Sequence, residues 1–388
     1  MKSHPRLNDV IGMLVNGELR NTLSSHYHSI LHRVAEISTS AKGARHVLLG
    51  IAYRIARRLG LLSSPAVGEL TWEMNLLALL DIVYRGPEYK PLIEALDKDG
   101  KETLALYISG LACQTGVQQL CEKAKTLFEE KCRLLEAIRK RIHVIRKLGV
   151  SHTSGRPILL VRIYDPIGPP RLLTDSLDIL TESIATIKPN IFKKIINNAT
   201  SLAVLDVGAY NGETSTRYAA LMLREGIKGT VYAIEPDPVS YKLLEYNARL
   251  LGHPIRTIHA FLASNYGYEM LVPRGPSSSM SSIAGAAGKV RIRVIPAHVI
   301  VERALNESNA DHLHVRIDTE GAEDLIINDL INTFKRLRSF SAEIAVYHRL
   351  GDLLKFYNKL KGIATGFTLV WASCDFRDLM LVAYRAAL

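Results

Sequence analysis

The chain has 388 residues, 47% hydrophobic and 22% charged, with 49 Lys+Arg against 38 Asp+Glu and a formal net charge of +11. These proportions are those of a soluble globular protein long enough for two domains, each with a sizeable core. No apolar run reaches the roughly 18 residues of a membrane span, and Met1-Lys-Ser-His-Pro-Arg6 lacks a signal-peptide core, so the expected location is cytoplasmic.

The first 149 residues read as helical. Apolar spacing predicts helices over Thr22–Ile37, Ala44–Leu62, Glu69–Tyr84 and Lys101–Cys113, and a longest one over Val117–Leu148. His28 and His32 stand one helical turn apart with His26 nearby, but no Glu accompanies them in a zinc-binding pattern, and no metal site is expected. The four cysteines fall in no Cys-x-x-Cys pair and are expected as reduced, mostly buried thiols. Residues 1–150 hold 22 Lys+Arg against 15 Asp+Glu, so most of the positive excess lies here. It suits either an anionic partner, nucleic acid among them, or solubility. The run Arg139, Lys140, Arg141, Arg146 and Lys147 reads as cations at a helix C-terminus or as an anion-docking surface.

Gly149 to Pro157 is polar and bounded by glycine and proline, which places a linker there. Ile158–Tyr164 is a predicted strand, and Asp175–Ile187 and Asn190–Asn197 are predicted helices. From Ser201 onward strands and helices alternate: strand Ser201–Val207, helix Thr214–Arg224, strand Thr230–Glu235, a helix opened by Asp237, and strand Ile255–Ala263. Pro273–Gly288 is a serine-rich loop, either filler or a lid. Further strands are expected at Val290–Ile295, His312–Asp318 and Phe340–Tyr347, with Phe367–Ser373 and Leu379–Arg385 closing as a hairpin. That order predicts an α/β fold with a mostly parallel, doubly wound sheet.

Chemistry concentrates on Val204–Thr214, where a strand delivers Asp206 and then a turn with Gly208 and Gly212 leads into a helix. Glycines let backbone approach a ligand, and the helix end offers unpaired N–H groups. Asp206, Glu235 and Asp318 fall at the carboxyl ends of successive predicted strands, the edge where doubly wound sheets bind ligands. Glu235, one strand after the glycine turn, is placed to accept both hydroxyls of an adenosyl ribose.

Asp206-Val-Gly-Ala-Tyr-Asn-Gly-Glu-Thr214, Ala233-Ile-Glu-Pro-Asp-Pro238 and Val315-Arg-Ile-Asp-Thr-Glu-Gly-Ala-Glu323 resemble the signature blocks of the FkbM family of S-adenosylmethionine-dependent methyltransferases. The resemblance covers roughly residues 200–385. It implies a Rossmann-like seven-strand methyltransferase sheet with an antiparallel C-terminal hairpin, and methyl transfer to a hydroxyl of a small molecule or sugar. By the same resemblance Gly208 and Gly212 would border the methionine part of the cofactor, with Asp206, Tyr210 and Asn211 also among the cofactor-binding residues. Glu235 and Pro236 would lie at its ribose, and Ala263 and Ser264 near its adenine. Asp318, Glu320 and His348 would face the methyl group and the acceptor. The family often carries Glu-x-His on its fifth strand, whereas here Val346 stands two residues before His348.

A hydroxyl acceptor must lose its proton, so one base is expected, with Asp318, Glu320 and His348 as candidates in that order. Asp318 has the alternative role of orienting the cofactor's amino group, and Glu320 that of favouring the following helix N-terminus. The expected organisation is an all-α, basic accessory domain over 1–149, a lead-in over 158–199 and a cofactor domain over 200–388. The accessory domain would shape the acceptor site or a homodimer contact. The competing reading is an RNA 2′-hydroxyl methyltransferase whose basic helical half binds nucleic acid.

Overall fold

The structure, a computed structural model, describes residues 5–19, 67–151, 156–165, 167, 171–187, 189–196, 199–251, 254–271, 290–375 and 377–385. The expected helices Thr22–Ile37 and Ala44–Leu62, the group His26, His28 and His32, and the loop Pro273–Gly288 lie outside the described residues. No helix among the described residues is long and apolar enough to cross a membrane. The chain divides into two compact units, residues 1–131 with 374–377 and residues 132–373 with 378–388.

In the first unit the helices are Pro5–Val15 (α1), Val67–Tyr84 (α2), Gly86–Ala95 (α3), Lys98–Thr115 (α4) and the start of Gln118–Lys140 (α5), of which α1 and α3 were not expected from the sequence. Asp97 caps α4 by accepting from the Gly100 N–H at 2.8 Å, and Gly116 closes it in the left-handed region at φ 79°. Leu14, Leu79, Leu92, Leu104, Ile108 and Leu111 are fully buried. Cys113 and Cys121 correct the expectation of reduced thiols. The Gly116 turn brings the end of α4 to the start of α5, and the two form a disulfide, with no free cysteine among the described residues.

A second correction concerns the long helix expected over Val117–Leu148. α5 stops at Lys140, and Ile142–Val150 (β1) is a strand paired antiparallel with Pro157–Ile163 (β2). The branched run Ile142, Val144, Ile145 suits a strand, and pairing with β2 decides against the helical spacing that the same residues also satisfy. The expected linker Gly149–Pro157 therefore joins two strands of one sheet, completed by Arg171–Thr174 (β3).

The second unit continues with Leu177–Thr186 (α6), Pro189–Ile196 (α7), Ser201–Val207 (β4), Glu213–Arg224 (α8), Lys228–Ile234 (β5), Pro238–Leu251 (α9) and Ile255–Ile258 (β6). Phe261–Ala263 (β7), Gly267–Leu271 (β8) and Val290–Pro296 (β9) form a separate sheet in the order β7-β9-β8. After these come Ala297–Ser308 (α10), His312–Ile317 (β10), Glu323–Arg336 (α11), Phe340–Ala345 (β11), Asp352–Leu360 (α12), Gly366–Trp371 (β12) and Leu379–Arg385 (β13). The single strand expected at Ile255–Ala263 is thus two strands in two sheets. The chain turns at His259, whose ring stacks on Tyr241 with centroids 4.6 Å apart.

The main sheet has the order β12-β13-β11-β10-β4-β5-β6, parallel except for β13, which runs antiparallel to both neighbours. This is the expected seven-strand α/β sheet with its closing hairpin. β4, β10 and β11 are buried along nearly their whole length, consistent with a sheet covered by helices on both faces. The order reverses between β4 and β10, and such a switch point opens a crevice at the carboxyl ends of the strands.

Candidate active site

At the switch point the backbones leaving β4 and β10 nearly touch. The Asp318 N–H donates to the Val207 carbonyl at 3.0 Å, and a Cβ on Gly208 would lie 1.9 Å from the Asp318 carbonyl oxygen. Gly208 also has φ +83°, so only glycine closes this turn. Gly212, at φ +87°, is the N-cap of α8, and a Cβ there would meet the Leu244 side chain at 2.7 Å. The two glycines are structural necessities of the cradle as well as openings for a ligand.

The cradle is held from the next strand. Glu235 accepts from the Tyr210 N–H at 2.8 Å through one carboxylate oxygen and from the Asp237 N–H at 2.7 Å through the other. Burial pushes its carboxyl up to about 8. Tyr210, itself left-handed at φ 51°, donates its hydroxyl to Asp175 at 2.6 Å, and the Asn211 amide donates to the same oxygen at 2.8 Å. Asp237 caps α9 by accepting from Val239 and Ser240, as its position before Pro238 predicted.

A cavity enclosing about 1020 Å³ of space, open to solvent, sits over this cradle. Gly208, Tyr210, Glu235, Pro236, Asp318 and Glu320 border it, six of the residues singled out from sequence. Others do not. Asp206 is turned away into α8, where Thr214 and Ser215 each donate to its Oδ2 at 2.5 Å. Asn211 and Gly212 lie behind the wall. Ala263 and Ser264 are displaced from it because the chain leaves the main sheet at β6, and Ala260, Phe261 and Leu262 border the cavity in their place. Glu213, Arg316 and Tyr347 border it too and were not singled out.

The opposite rim is built of charge. Asp318 accepts from the Tyr347 hydroxyl and from the Arg316 guanidinium, each at 3.0 Å. Arg316 donates its other amino group to Glu343 at 2.7 Å, across directly paired positions of β10 and β11. Glu343 in turn accepts from Tyr218 at 2.7 Å, and Tyr218 meets His314, so a buried chain of polar groups runs beneath the sheet edge to Asp318. A charged residue inside the apolar strand Phe340–Ala345 was the sequence signal for this pair.

His348 lies behind that rim, not on the cavity wall. Its Nδ1 is 2.9 Å from Glu323, and its Nε2 is 3.4 Å from Glu320 and 3.6 Å from Asp318. Burial would lower the imidazole, but Glu323, Asp318 and Glu320 together raise it to about 9. Glu323 is held near 2 against its burial by His348 and by the Thr319 and Gly321 N–H groups. Burial pushes Glu320 up to about 7, with His348 opposing and Asp318 assisting. Asp318, Glu323 and His348 each offer one ligand atom within 4.8 Å of the others. The cationic ring of His348 already meets both carboxylates at this point.

Sequence comparison adds an independent observation: residues 206–352 match the Methyltransferase FkbM domain. The match begins at Asp206, ahead of the cradle, and ends at Asp352, beyond His348, so both rims of the cavity fall inside it. Among solved structures, the chain is similar to methyltransferase FkbM from Methylobacillus flagellatus KT at 18% identity and a TM-score of 0.46. That alignment covers 79% of this chain and 60% of the other. It is also similar to the Pyrococcus abyssi tRNA (uracil-54, C5)-methyltransferase in complex with S-adenosyl-L-homocysteine. There the identity is 9% and the TM-score 0.32, over 59% of this chain and 44% of the other. Among curated proteins, none matches this sequence.

Proposed function

We propose that the FkbM domain transfers a methyl group from S-adenosylmethionine to a hydroxyl of a small molecule or sugar. The fit to the cofactor rests on Glu213, a residue of the cavity wall whose buried carboxylate has one oxygen, Oε2, that accepts no hydrogen bond. The cofactor would bring an electrophilic methyl group on a sulfonium, ready for in-line displacement.

What remains for the chain is to position the reactants and to take one proton. Gly208, Tyr210, Glu213, Glu235 and Pro236 would hold the cofactor. Phe261 and Leu262 give the cavity an apolar side that keeps water from one face. Glu320 is the residue we assign as base, and this assignment carries the reading. It borders the cavity, and at about 7 its carboxyl is poised to accept a hydroxyl proton near neutral pH. His348 is held protonated, so it cannot take that proton. It stabilises the negative charge of Glu320 and Asp318 instead. Asp318, tied by Arg316 and Tyr347, orients the reacting groups.

The decisive experiment is calorimetric titration with S-adenosylmethionine and, separately, with NAD. Selective binding of the first supports the reading, and the acceptor search then starts with hydroxylated sugars. Binding of NAD alone, or of neither, overturns it.

A further inference from the structure

The second unit carries a surface that the cavity does not use. Between Glu136 and Asp165 the chain has seven Lys or Arg residues and no Asp or Glu. More than half of the large apolar side chains exposed among the described residues lie here too. Leu134 stands just ahead of the stretch and Val144, Ile145, Leu148, Val150 and Tyr164 within it, each 47–55% exposed.

Their concentration follows from the strand that carries them. β1 is an edge of the sheet β1-β2-β3, and after Ile142 every one of its residues is exposed. Successive side chains of a strand point to opposite faces, so both faces of Val144-Ile145-Arg146-Lys147-Leu148 are uncovered and present aliphatic and cationic groups side by side. On β2, Arg162 stands directly opposite His143 of β1 on one side and Arg171 of β3 on the other, all three exposed. Like charges directly opposite each other across strands repel, and an anionic layer over them relieves that repulsion. No acid pairs with Arg146, Lys147, Arg162 or Arg171 among the described residues.

The chemistry of the surface separates its possible occupants. A second copy of the chain is disfavoured, because β1 holds no acid and β1 against β1 sets cation near cation in any register. Its irregular pairing at Val144/Arg146 and Lys147/Gly149 also breaks the regular edge that strand addition needs. Nucleic acid would use the cations and leave the aliphatic side chains in water. The two rings present, His143 and Tyr164, already meet edge to face with centroids 5.0 Å apart rather than standing free for bases. An anionic bilayer uses both kinds of group: headgroup phosphates meet the cations, and the acyl boundary takes Val144, Ile145 and Leu148.

We infer that β1, with the flanking cations of β2 and β3, is a docking surface for an anionic lipid membrane, which it holds from one side without crossing. The inference is independent of the cofactor and of the methyl acceptor.

The test is flotation of the full chain with vesicles of phosphatidylcholine alone and of equal parts phosphatidylcholine and phosphatidylglycerol. Recovery is expected with the anionic vesicles only, and it should fall steeply as salt rises from about 0.1 M to about 1 M. Wild-type protein that floats with neither, or equally with both, overturns the inference, and this readout does not depend on a variant folding. Two exposed double substitutions then separate the contributions. Arg146→Gln with Lys147→Gln removes two cations and should weaken binding to the anionic vesicles roughly thirtyfold. Ile145→Thr with Leu148→Thr keeps the charge and strand-compatible residues, and should weaken it roughly tenfold. If the aliphatic pair leaves vesicle binding within about twofold, the cations act alone and the lipid inference fails. Single-stranded RNA binding that only the charge pair weakens would then assign the surface to nucleic acid.

Discussion

The two rims of the cavity are built by different means. On the β4 side the shape is set by backbone: Gly208 against the Asp318 carbonyl, Tyr210 held by its N–H to Glu235, and α8 started by a left-handed Gly212. On the β10 and β11 side it is set by charge: Asp318, Glu320, Glu323 and Glu343 are arranged around the two cations Arg316 and His348. A backbone-built rim tolerates changes of charge and fails on added volume. A charge-built rim tolerates volume and fails when one ion is removed. The first suits a cofactor of fixed shape; the second suits proton transfer from an acceptor.

The sharpest break of the charged rim is Arg316→Met, which keeps the length of the side chain and leaves Asp318 and Glu343 facing each other without their shared cation. Removing one partner of a buried ion pair costs about 3–5 kcal/mol. We expect a loss of that size in a denaturant titration, and a change below about 1 kcal/mol would mean that the rim is not held by charge. The matching break of the backbone rim is Gly208→Ala. The added methyl must push against the Asp318 carbonyl in a positive-φ conformation, and strain and overpacking together cost about 3 kcal/mol. Its signature is loss of cofactor binding together with stability, since the same contact shapes the cradle.

Glu320→Gln sharpens the comparison differently, because it removes a proton acceptor without adding volume. Turnover should fall roughly a hundredfold or more, the scale of general-base catalysis, with cofactor affinity nearly unchanged. Its rate profile should also lack the ionisation near pH 7 that the raised Glu320 carboxyl predicts on the acid side of the wild-type profile. A variant that keeps both turnover and that ionisation would hand the base role to Asp318.

The backbone-built rim was the more legible of the two in sequence. Gly208, Gly212 and Asp237 announce themselves because few other residues satisfy a left-handed turn or a helix cap. Glu235 is found by its distance from that turn. The orientation of Asp206 was hidden, since a strand-end carboxylate looks the same whether it faces a cavity or the hydroxyls of the next helix. Ala263 and Ser264 fall outside the cavity lining because Ile255–Ala263 is one apolar run, and nothing in its pattern says that its two halves pair with different sheets. The same limit hid β1, whose apolar residues satisfy both a helical and an extended spacing. On the charged rim Arg316 and Glu343 are legible only as a cross-strand pair, and the register that joins them is a property of the assembled sheet.

The smallest effect distinguishes the rims by pH. Glu213 and Glu235 are raised to about 8 and Glu320 to about 7, so the folded protein holds protons that the unfolded chain releases above about 4.5. Their contribution to stability is therefore complete below that value and is lost as the pH rises through 7 to 8. His348, raised from 6.5 to about 9, has the same sign: its ion pairs contribute fully below 6.5 and are lost through 9. Glu323 is opposite, lowered to about 2, so its contribution is lost only as the pH falls from 4.5 toward 2. Stability should accordingly peak near pH 5 and decline toward pH 9, with a fall in Tm of roughly 5 °C. Glu235→Gln should remove its share of that decline, between about pH 4.5 and 8, whereas His348→Gln should remove a share that lies between about pH 6.5 and 9. If one substitution flattened the whole curve, the two rims would be titrating as one coupled group, and the division between a backbone-built and a charge-built side would not hold.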